Sequence, residues 1–125
     1  MKSYRDLEIF QSAKKLAVEI HEMSLQLPKF ELYEEGSQIR RSSKSIGSNI
    51  VEGFARRNYK SDFLRYITIA WGECDETIFH LEMLFKTKSL INEKQYGYFK
   101  TEYEKLSKMI NNFYQAVNKS HLSEK

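Results

Sequence analysis

Residues 92–119 read NEKQYGYFKTEYEKLSKMINNFYQAVNK, and apolar side chains return along this stretch at alternating steps of three and four residues. This spacing is typical of helices that pack side by side with a left-handed twist. Asn92 precedes Gln95 by three residues, a capping-box spacing in which Asn replaces the usual Ser or Thr. The stretch therefore predicts a long amphipathic helix in a bundle. Its apolar stripe consists of Tyr96, Phe99, Tyr103, Leu106, Ile110, Phe113 and Val117.

Three further amphipathic helices are predicted before this one. The first extends over about 6–27 and is stopped by Pro28, and the second follows Gly36 with Ser37 as its N-cap. The third extends over roughly 60–87. Only one proline and five glycines interrupt the chain, and the alternation typical of strands is almost absent. The apolar stripe of the third helix consists of Phe63, Ile67, Ala70, Cys74, Ile78, Leu81 and Phe85.

Four helices with mostly short connections predict an all-α fold, an up-down-up-down antiparallel four-helix bundle. A chain of 125 residues suits one domain, which we expect over residues 1–119, followed by a frayed tail over residues 120–125. The N-terminus lacks the apolar run of a signal peptide, and no segment approaches the roughly 20 apolar residues of a membrane span. A single cysteine excludes an intramolecular disulfide. We therefore expect a cytoplasmic protein with no membrane partner.

The sequence gives little support for catalysis or metal binding. Di-iron bundles need a repeated Glu-x-x-His motif, which is missing here. Glu76 and His80 lie one helical turn apart, and we interpret them as a solvated pair. The acidic run of Glu73, Asp75 and Glu76 is interpreted as a solvated helix face, and Cys74 as a small buried hydrophobic residue. We expect no enzyme, no catalytic residue, no metal and no cofactor.

Basic residues are concentrated in the centre of the chain. Residues 37–65 contain seven basic and two acidic residues, a net charge of +5, whereas the rest of the chain contains 13 basic and 15 acidic residues. This asymmetry indicates a polyanionic partner, because arginine binds phosphate with a fork of donors and a tyrosine ring can stack on a base. A solvated basic face, partly neutralised by Glu52 and Asp62, explains the pattern equally well. The candidate nucleic-acid-binding residues are Arg40, Arg41 and Lys44 on the outer face of the second helix, Arg56, Arg57, Tyr59 and Lys60 in the loop after it, and Arg65.

The third helix also carries a surface that points to self-association. At about 100° per residue, four small or apolar side chains fall opposite its apolar stripe. A monomer would leave them in water, and such a patch is usually an interface. Scattered exposed apolar residues are the alternative, since Glu76 interrupts the patch. The candidate interface residues are Ile69, Gly72, Phe79 and Met83.

The centre of the chain resembles a known family. Residues 38–57 read QIRRSSKSIGSNIVEGFARR, residues 60–76 read KSDFLRYITIAWGECDE, and LPKFELY precedes them at residues 27–33. Together they resemble the bacterial four-helix-bundle family named after open reading frames in intervening sequences of 23S ribosomal RNA genes. The resemblance covers nearly the whole chain. Its core motif consists of Ser45, Ile46, Asn49, Ile50, Glu52 and Gly53.

This resemblance implies a bundle that assembles into a ring-shaped homopentamer, as in the similar accessory variability determinant proteins of diversity-generating retroelements. Those relatives bind nucleic acid and work with a reverse transcriptase, and they are not enzymes themselves. Within the motif, we expect Ile46 and Ile50 in the core, and Gly53 to end or kink the second helix. Asn49 and Glu52 are expected to bond across a helix or subunit boundary.

These observations predict a non-catalytic, ring-forming protein. Its expected partners are structured RNA or an RNA–DNA hybrid, further copies of itself and, by the resemblance, a reverse transcriptase. Weak phosphate contacts from several subunits add into appreciable, salt-sensitive binding when they share one polymer. The alternative is a protein–protein interaction adaptor or scaffold with no direct role in nucleic-acid binding.

Overall fold

The computed structural model describes residues 3–122 and the side chains of residues 3–120. Four α-helices account for most of this range, and the described residues include no strand. The predicted all-α class is confirmed. The helices are α1 (Glu8–Ser24), α2 (Glu35–Ala55), α3 (Lys60–Lys86) and α4 (Glu93–Leu122), with short 3-10 helices at Tyr4–Asp6 and Lys29–Leu32.

The helices form the predicted up-down-up-down bundle. Each packs against its neighbours along the chain, and α1 also packs against α4, which places the four helices at the corners of a square. One hydrophobic core lies along the centre, with contributions from all four helices. Its fully buried side chains include Ile20, Ile39, Ile46, Ile50, Ile67, Leu81, Tyr103 and Ile110.

Helix α1 is shorter than the sequence predicts. It begins at Glu8 and ends at Ser24, whereas the pattern predicts 6–27. At its start, Leu7 is extended and buried, and the residues before it form a separate 3-10 turn. Ser3 caps that turn, because its hydroxyl accepts the N–H of Arg5 at 3.1 Å. The helix therefore cannot extend back to residue 6.

Helix α4 begins as predicted and ends later. The side-chain oxygen of Asn92 accepts the N–H of Gln95 at 3.0 Å, which confirms the cap. The helix runs to Leu122, three residues beyond the expected domain end at residue 119. Residues 123–125 of the expected tail lie outside the described residues.

Helix α2 begins at Glu35, so the expectation that Ser37 caps it is wrong. The start is fixed by Glu31, whose buried carboxylate accepts the N–H of Gly36 at 3.3 Å and the hydroxyl of Ser89 at 2.6 Å. Gly36 lies in the first turn of the helix, where a Cβ atom would stand 2.2 Å from the carbonyl oxygen of Glu31. A glycine is required because the backbone of residue 31 passes so close.

Helices α2 and α3 approach closely along small residues. The hydroxyls of Ser42 and Thr77 are buried and hydrogen-bonded at 2.8 Å. A Cβ atom at Gly53 would lie 3.1 Å from the Cβ of Tyr66. Helix α2 continues past Gly53 to Ala55, so this glycine does not end the helix as expected. Its lack of a side chain instead lets α3 approach.

The buried side of α3 is wider than the predicted stripe. Thr77, His80 and Leu84 are buried although the stripe omits them. Two stripe residues, Ile78 and Phe85, are only half-buried. The close contact with α2 explains this difference, because it turns part of the buried side of α3 toward that helix.

Candidate nucleic-acid interface

The basic residues of the central segment do not form one surface. Arg40 and Lys44 lie in the first half of α2, whereas Arg56 lies at its C-terminal cap. The 16 positions from Arg40 to Arg56, at about 1.5 Å each, separate them by about 24 Å along the helix axis. The single cluster suggested by the sequence is therefore two clusters at different heights of the bundle.

Arg40 holds the connection between α1 and α2. Its Nη2 donates to the carbonyl oxygen of Leu32 at 2.6 Å, and its Nη1 donates to the hydroxyl oxygen of Ser24 at 3.0 Å. The side chain is half-buried. The expectation that Arg40 lies on the outer face is wrong, because both ends of its guanidinium bind the protein's own backbone and side chains.

Arg41 and Lys44 are exposed on α2. Nη2 of Arg41 lies 3.7 Å from Oε1 of Glu76, and Nζ of Lys44 lies 3.1 Å from Nδ1 of His21. Exposed pairs of this kind contribute little to stability. A phosphate group can therefore compete for both side chains at small cost.

The second cluster surrounds the connection between α2 and α3. Because α2 ends at Ala55 and α3 begins at Lys60, the connection gathers side chains from both helices at one end of the bundle. We call this surface the basic end and define it as Arg56, Arg57, Tyr59, Lys60, Arg65 and Tyr66.

The ring of Tyr66 lies between charges from both helices. The guanidinium carbon of Arg56 lies 4.9 Å from the ring centroid, and that of Arg65 lies 4.6 Å from it. Arg56 is also paired with Glu52, with 2.8 Å between Nη1 and Oε1, and Arg65 lies 3.8 Å from Asp62. These contacts orient the two guanidinium groups and reduce the net charge around them.

Arg57, Tyr59 and Lys60 form the outer part of the basic end. The guanidinium carbon of Arg57 lies 4.2 Å from the ring centroid of Phe54. Tyr59 is the N-cap of α3, its side chain makes no capping hydrogen bond, and it is 69% exposed. A shallow depression runs along Tyr59, Lys60 and Asp62. An exposed ring beside cations can stack on a base while the cations contact the phosphates.

The fold places further residues at the basic end that the sequence does not indicate. The 3-10 helix at Tyr4–Asp6 packs against α2, which places Arg5 at the same end of the bundle. Lys119 reaches this end from α4, whose Phe113 ring contacts the Phe63 ring near the start of α3. The sequence does not identify Tyr66 as a site residue, because its position along the chain does not show that Arg56 and Arg65 both contact its ring. Only the antiparallel packing of the helices shows that Arg5, Lys119 and Tyr66 lie at this end of the bundle.

The family motif is satisfied within α2. Ile46 and Ile50 are fully buried. The side-chain nitrogen of Asn49 donates to the carbonyl oxygen of Ser45 at 2.8 Å, and Glu52 pairs with Arg56 one turn later. Within the bundle, Asn49 and Glu52 therefore bond along their own helix, not across a helix boundary as expected.

A profile of the 23S rRNA-intervening sequence protein family matches residues 5–112. The chain belongs to this family. A similar solved structure is that of a protein with unknown function from the S23 ribosomal protein family of Bacteroides thetaiotaomicron VPI-5482. The two chains share 26% sequence identity with a TM-score of 0.76, over 86% of this chain and 95% of that one. No curated protein matches.

This family member shows neither a metal cluster nor a membrane-spanning helix in its described part. No group of three or more His, Cys, Asp or Glu residues between 3 and 122 could hold a metal ion. No helix in that range is long and apolar enough to cross a membrane. Cys74 is buried, and burial followed by the charge of Asp75 raises the pKa of its thiol to about 12. The expectation of a buried, unreactive cysteine agrees with this environment.

His80 is not part of a solvated pair, so that interpretation is wrong. The side chain is 7% exposed, and its two ring nitrogens face two carboxylates. Nδ1 lies 2.6 Å from Oε2 of Glu35 at the start of α2, and Nε2 lies 3.4 Å from Oε1 of Glu76. His80 therefore links α3 to the first turn of α2. The sequence shows only Glu76, because Glu35 is 45 positions away.

Glu73 is likewise less solvated than expected. Its Oε1 atom is buried and has no hydrogen-bond partner among the described residues. Burial raises the pKa of the Glu73 carboxyl above its usual 4.5, and the negative charge of Glu76 adds to the rise. The interpretation of the acidic run as a solvated face is wrong at this residue.

We predict that Glu73→Gln raises the free energy of unfolding at pH 7. The raised pKa means that the folded protein favours the protonated form of the Glu73 carboxyl. The stabilisation from this protonated carboxyl is complete below pH 4.5, and it is lost as the pH rises through the pKa of the folded protein. The gain is less than about 1 kcal/mol, because Glu73 is only half-buried and solvent screens its charge. Urea denaturation at pH 7 and pH 4 measures it, and the gain should shrink at pH 4. Exposed Glu22→Gln is the control, and an equal gain there would contradict the prediction.

The patch on α3 is positioned as the helical spacing indicates. Ile69, Gly72 and Phe79 are exposed, and Met83 is half-buried. Phe79 packs edge-on against the His80 ring, with 5.6 Å between the ring centroids. The use of this patch as an interface stays a prediction.

Proposed function

We propose that this protein is a non-catalytic, oligomeric nucleic-acid-binding protein. Its ligand is structured RNA or an RNA–DNA hybrid, and its site is the basic end. The observation that carries the proposal is the convergence of Arg56 and Arg65 on the Tyr66 ring, with Lys60 beside the exposed Tyr59 at the same end of the bundle.

The chemistry of the basic end suits shape recognition. Arg56 and Arg65 are oriented by Tyr66, so less side-chain freedom is lost when they contact phosphates. Their acidic partners lower the affinity of a single subunit, because phosphate must compete with Glu52 and Asp62. We therefore propose that binding depends on several subunits that share one polymer. The resemblance to retroelement proteins suggests a ring of five and a reverse transcriptase as a further partner. We propose that the protein acts in the cytoplasm.

An adaptor role is the second candidate, and one observation favours it. Phe30 and Tyr33 are large, exposed side chains, and Tyr33 is 87% exposed. They lie on the connection held by Arg40 and Glu31, at the end of the bundle opposite the basic end. Rigid exposed aromatic residues are typical of protein interaction sites.

Fluorescence anisotropy with a labelled structured RNA tests the proposed site. We expect Arg57→Glu with Lys60→Glu to weaken binding at 0.1 M salt by on the order of tenfold per reversed charge. The matched control is Lys29→Glu with Lys94→Glu, which reverses two exposed charges away from the basic end and should weaken binding much less. Equal losses in both double variants would move the site elsewhere.

The salt dependence gives a second reading of the same experiment. If about five phosphates are neutralised, log affinity falls with log salt at a slope of about −3.5 to −4.5. The basic-end variant should show a shallower slope, because two contacts are lost. A wild-type affinity that does not change with salt would exclude the electrostatic mechanism. RNA binding that is absent at every salt concentration would leave the adaptor role.

A further inference from the structure

The ring of Tyr59 is an exposed aromatic surface on a fixed backbone. The N–H of Tyr59 donates to the carbonyl oxygen of Arg56 at 2.9 Å, and its own carbonyl oxygen accepts the N–H of Phe63 at 2.9 Å. These two bonds tie the residue to the end of α2 and to the first turn of α3. The ring itself is 69% exposed. Tyr59 therefore presents most of its ring to solvent from a fixed point of the basic end.

Tyr66, the other tyrosine of the basic end, is not available in this way. It is half-buried, and the guanidinium carbons of Arg56 and Arg65 lie 4.9 Å and 4.6 Å from its ring centroid. A base that stacked on Tyr66 would have to displace one of these arginines. Of the two rings, Tyr59 is therefore the one that can receive a ligand.

A depression of about 490 Å³ lies beside the Tyr59 ring, and its lining is unsuited to phosphate. The Asp62 carboxylate is half-exposed there and would repel a negative charge, and Leu64 offers no hydrogen bond. A neutral base meets no such repulsion. Its face can stack on Tyr59 while the polar groups on its edge hydrogen-bond to Ser61 or Asp62. The depression is lined by Tyr59, Lys60, Ser61, Asp62 and Leu64.

The phosphates of the same nucleic acid can reach cations close by. Lys60 lines the depression, and Arg57 is an exposed residue two positions before Tyr59. In a nucleotide the base and the phosphate are attached to different positions of the sugar. A base in the depression therefore leaves its flanking phosphates outside, where lysine and arginine side chains contact them.

Only an unpaired nucleotide can offer the face of its base to Tyr59. Inside a duplex each base is stacked between its neighbours and paired along its edge. The stacking of one base on an aromatic side chain contributes about 5- to 150-fold in affinity. Opening one pair of a duplex costs about as much, so stacking does not offset it. The subsite therefore favours nucleotides that are already unpaired.

We propose that the depression beside Tyr59 is a subsite for one unpaired base, which stacks on the Tyr59 ring while the cations of the basic end contact the flanking phosphates. This inference rests on the proposed function and deepens it. It names the part of a structured RNA that the basic end recognises, which is a loop, a bulge or a single-stranded end.

Fluorescence anisotropy at 0.1 M salt tests the subsite with two labelled RNAs, a single strand and the fully paired duplex that contains the same strand. Tyr59→Ala should weaken binding of the single strand by at least about fivefold and leave binding of the duplex unchanged. Tyr59→Phe keeps the ring and should bind both RNAs as the wild type does. The salt slope for the single strand should be unchanged in Tyr59→Ala, because no phosphate contact is lost.

Two further variants control for folding and position. Tyr59→Asn removes the ring and supplies a residue type that is preferred at the N-cap, so weaker binding by this variant cannot result from a loss of α3. Tyr33→Ala removes a tyrosine that is 87% exposed at the opposite end of the bundle, and it should bind both RNAs normally. Circular dichroism verifies that each variant is folded.

The results separate this inference from the proposed function. Undiminished single-strand binding by Tyr59→Ala and Tyr59→Asn, or equal losses for the single strand and the duplex, would overturn the subsite and leave the basic end as the nucleic-acid site. A wild-type protein that binds neither RNA at 0.1 M salt would refute the proposed function and the subsite together.

Discussion

Gly36→Ala is expected to lower the free energy of unfolding by about 3 kcal/mol, near the upper end of the cost of overpacking. The new Cβ atom would lie 2.2 Å from the carbonyl oxygen of Glu31 and 3.0 Å from its carbonyl carbon. These are backbone atoms, so no side chain can rotate away. Residue 31 also resists movement, because its buried carboxylate binds Gly36 and Ser89. Relief of the clash would break those hydrogen bonds.

Urea denaturation followed by circular dichroism measures this loss, with Gly97→Ala as the matched control. Gly97 is also helical, but no neighbouring atom lies within 4 Å of the position that a Cβ atom would take there. Alanine at this position should raise stability by about 0.5–1 kcal/mol through its higher helix propensity. The two substitutions are chemically identical, so opposite signs isolate the clash. A loss below about 1 kcal/mol for Gly36→Ala would show that the backbone between α1 and α2 moves easily to accommodate the new Cβ atom.

The helices and their order could be predicted from the sequence because their signals are local. Apolar residues at steps of three and four identify α4, and Asn92 marks its start three residues before Gln95. The start of α2 could not be predicted in the same way. It depends on Glu31 and Ser89, which are 58 positions apart and meet only when the bundle has formed.

The sequence predicts which kinds of residue make up the candidate site, but it does not predict where they lie relative to one another. The sequence groups Arg40 with Arg56 because they are close along the chain, yet the rise of one helix separates them by about 24 Å. The role of Arg40 also depends on Leu32, a backbone acceptor in a connection without a regular pattern. Conversely, Arg5 joins the basic end only through the packing of its 3-10 helix on α2.

His80→Ala is expected to lower the free energy of unfolding by about 2–3 kcal/mol, because it removes a buried side chain together with its hydrogen bonds. The imidazole is 7% exposed and lies between Glu35 and Glu76, so its removal leaves a cavity and two carboxylates without their common partner. The carboxylate side chains are 30% and 41% exposed, and water therefore recovers part of the loss. Urea denaturation at pH 7 gives the value, and His21→Ala, a less buried histidine, should cost below about 0.5 kcal/mol.

The double variant His80→Ala with Glu76→Gln separates the two causes of that loss. If repulsion between the carboxylates contributes, removal of one charge should restore about 1 kcal/mol, whereas a cavity alone would restore nothing. Phe79 adds a second consequence, because its ring packs on His80. Loss of that base should weaken self-association at protein concentrations where the bundle is still folded. A destabilised variant that keeps full wild-type assembly would show that self-association does not need the contact between Phe79 and His80.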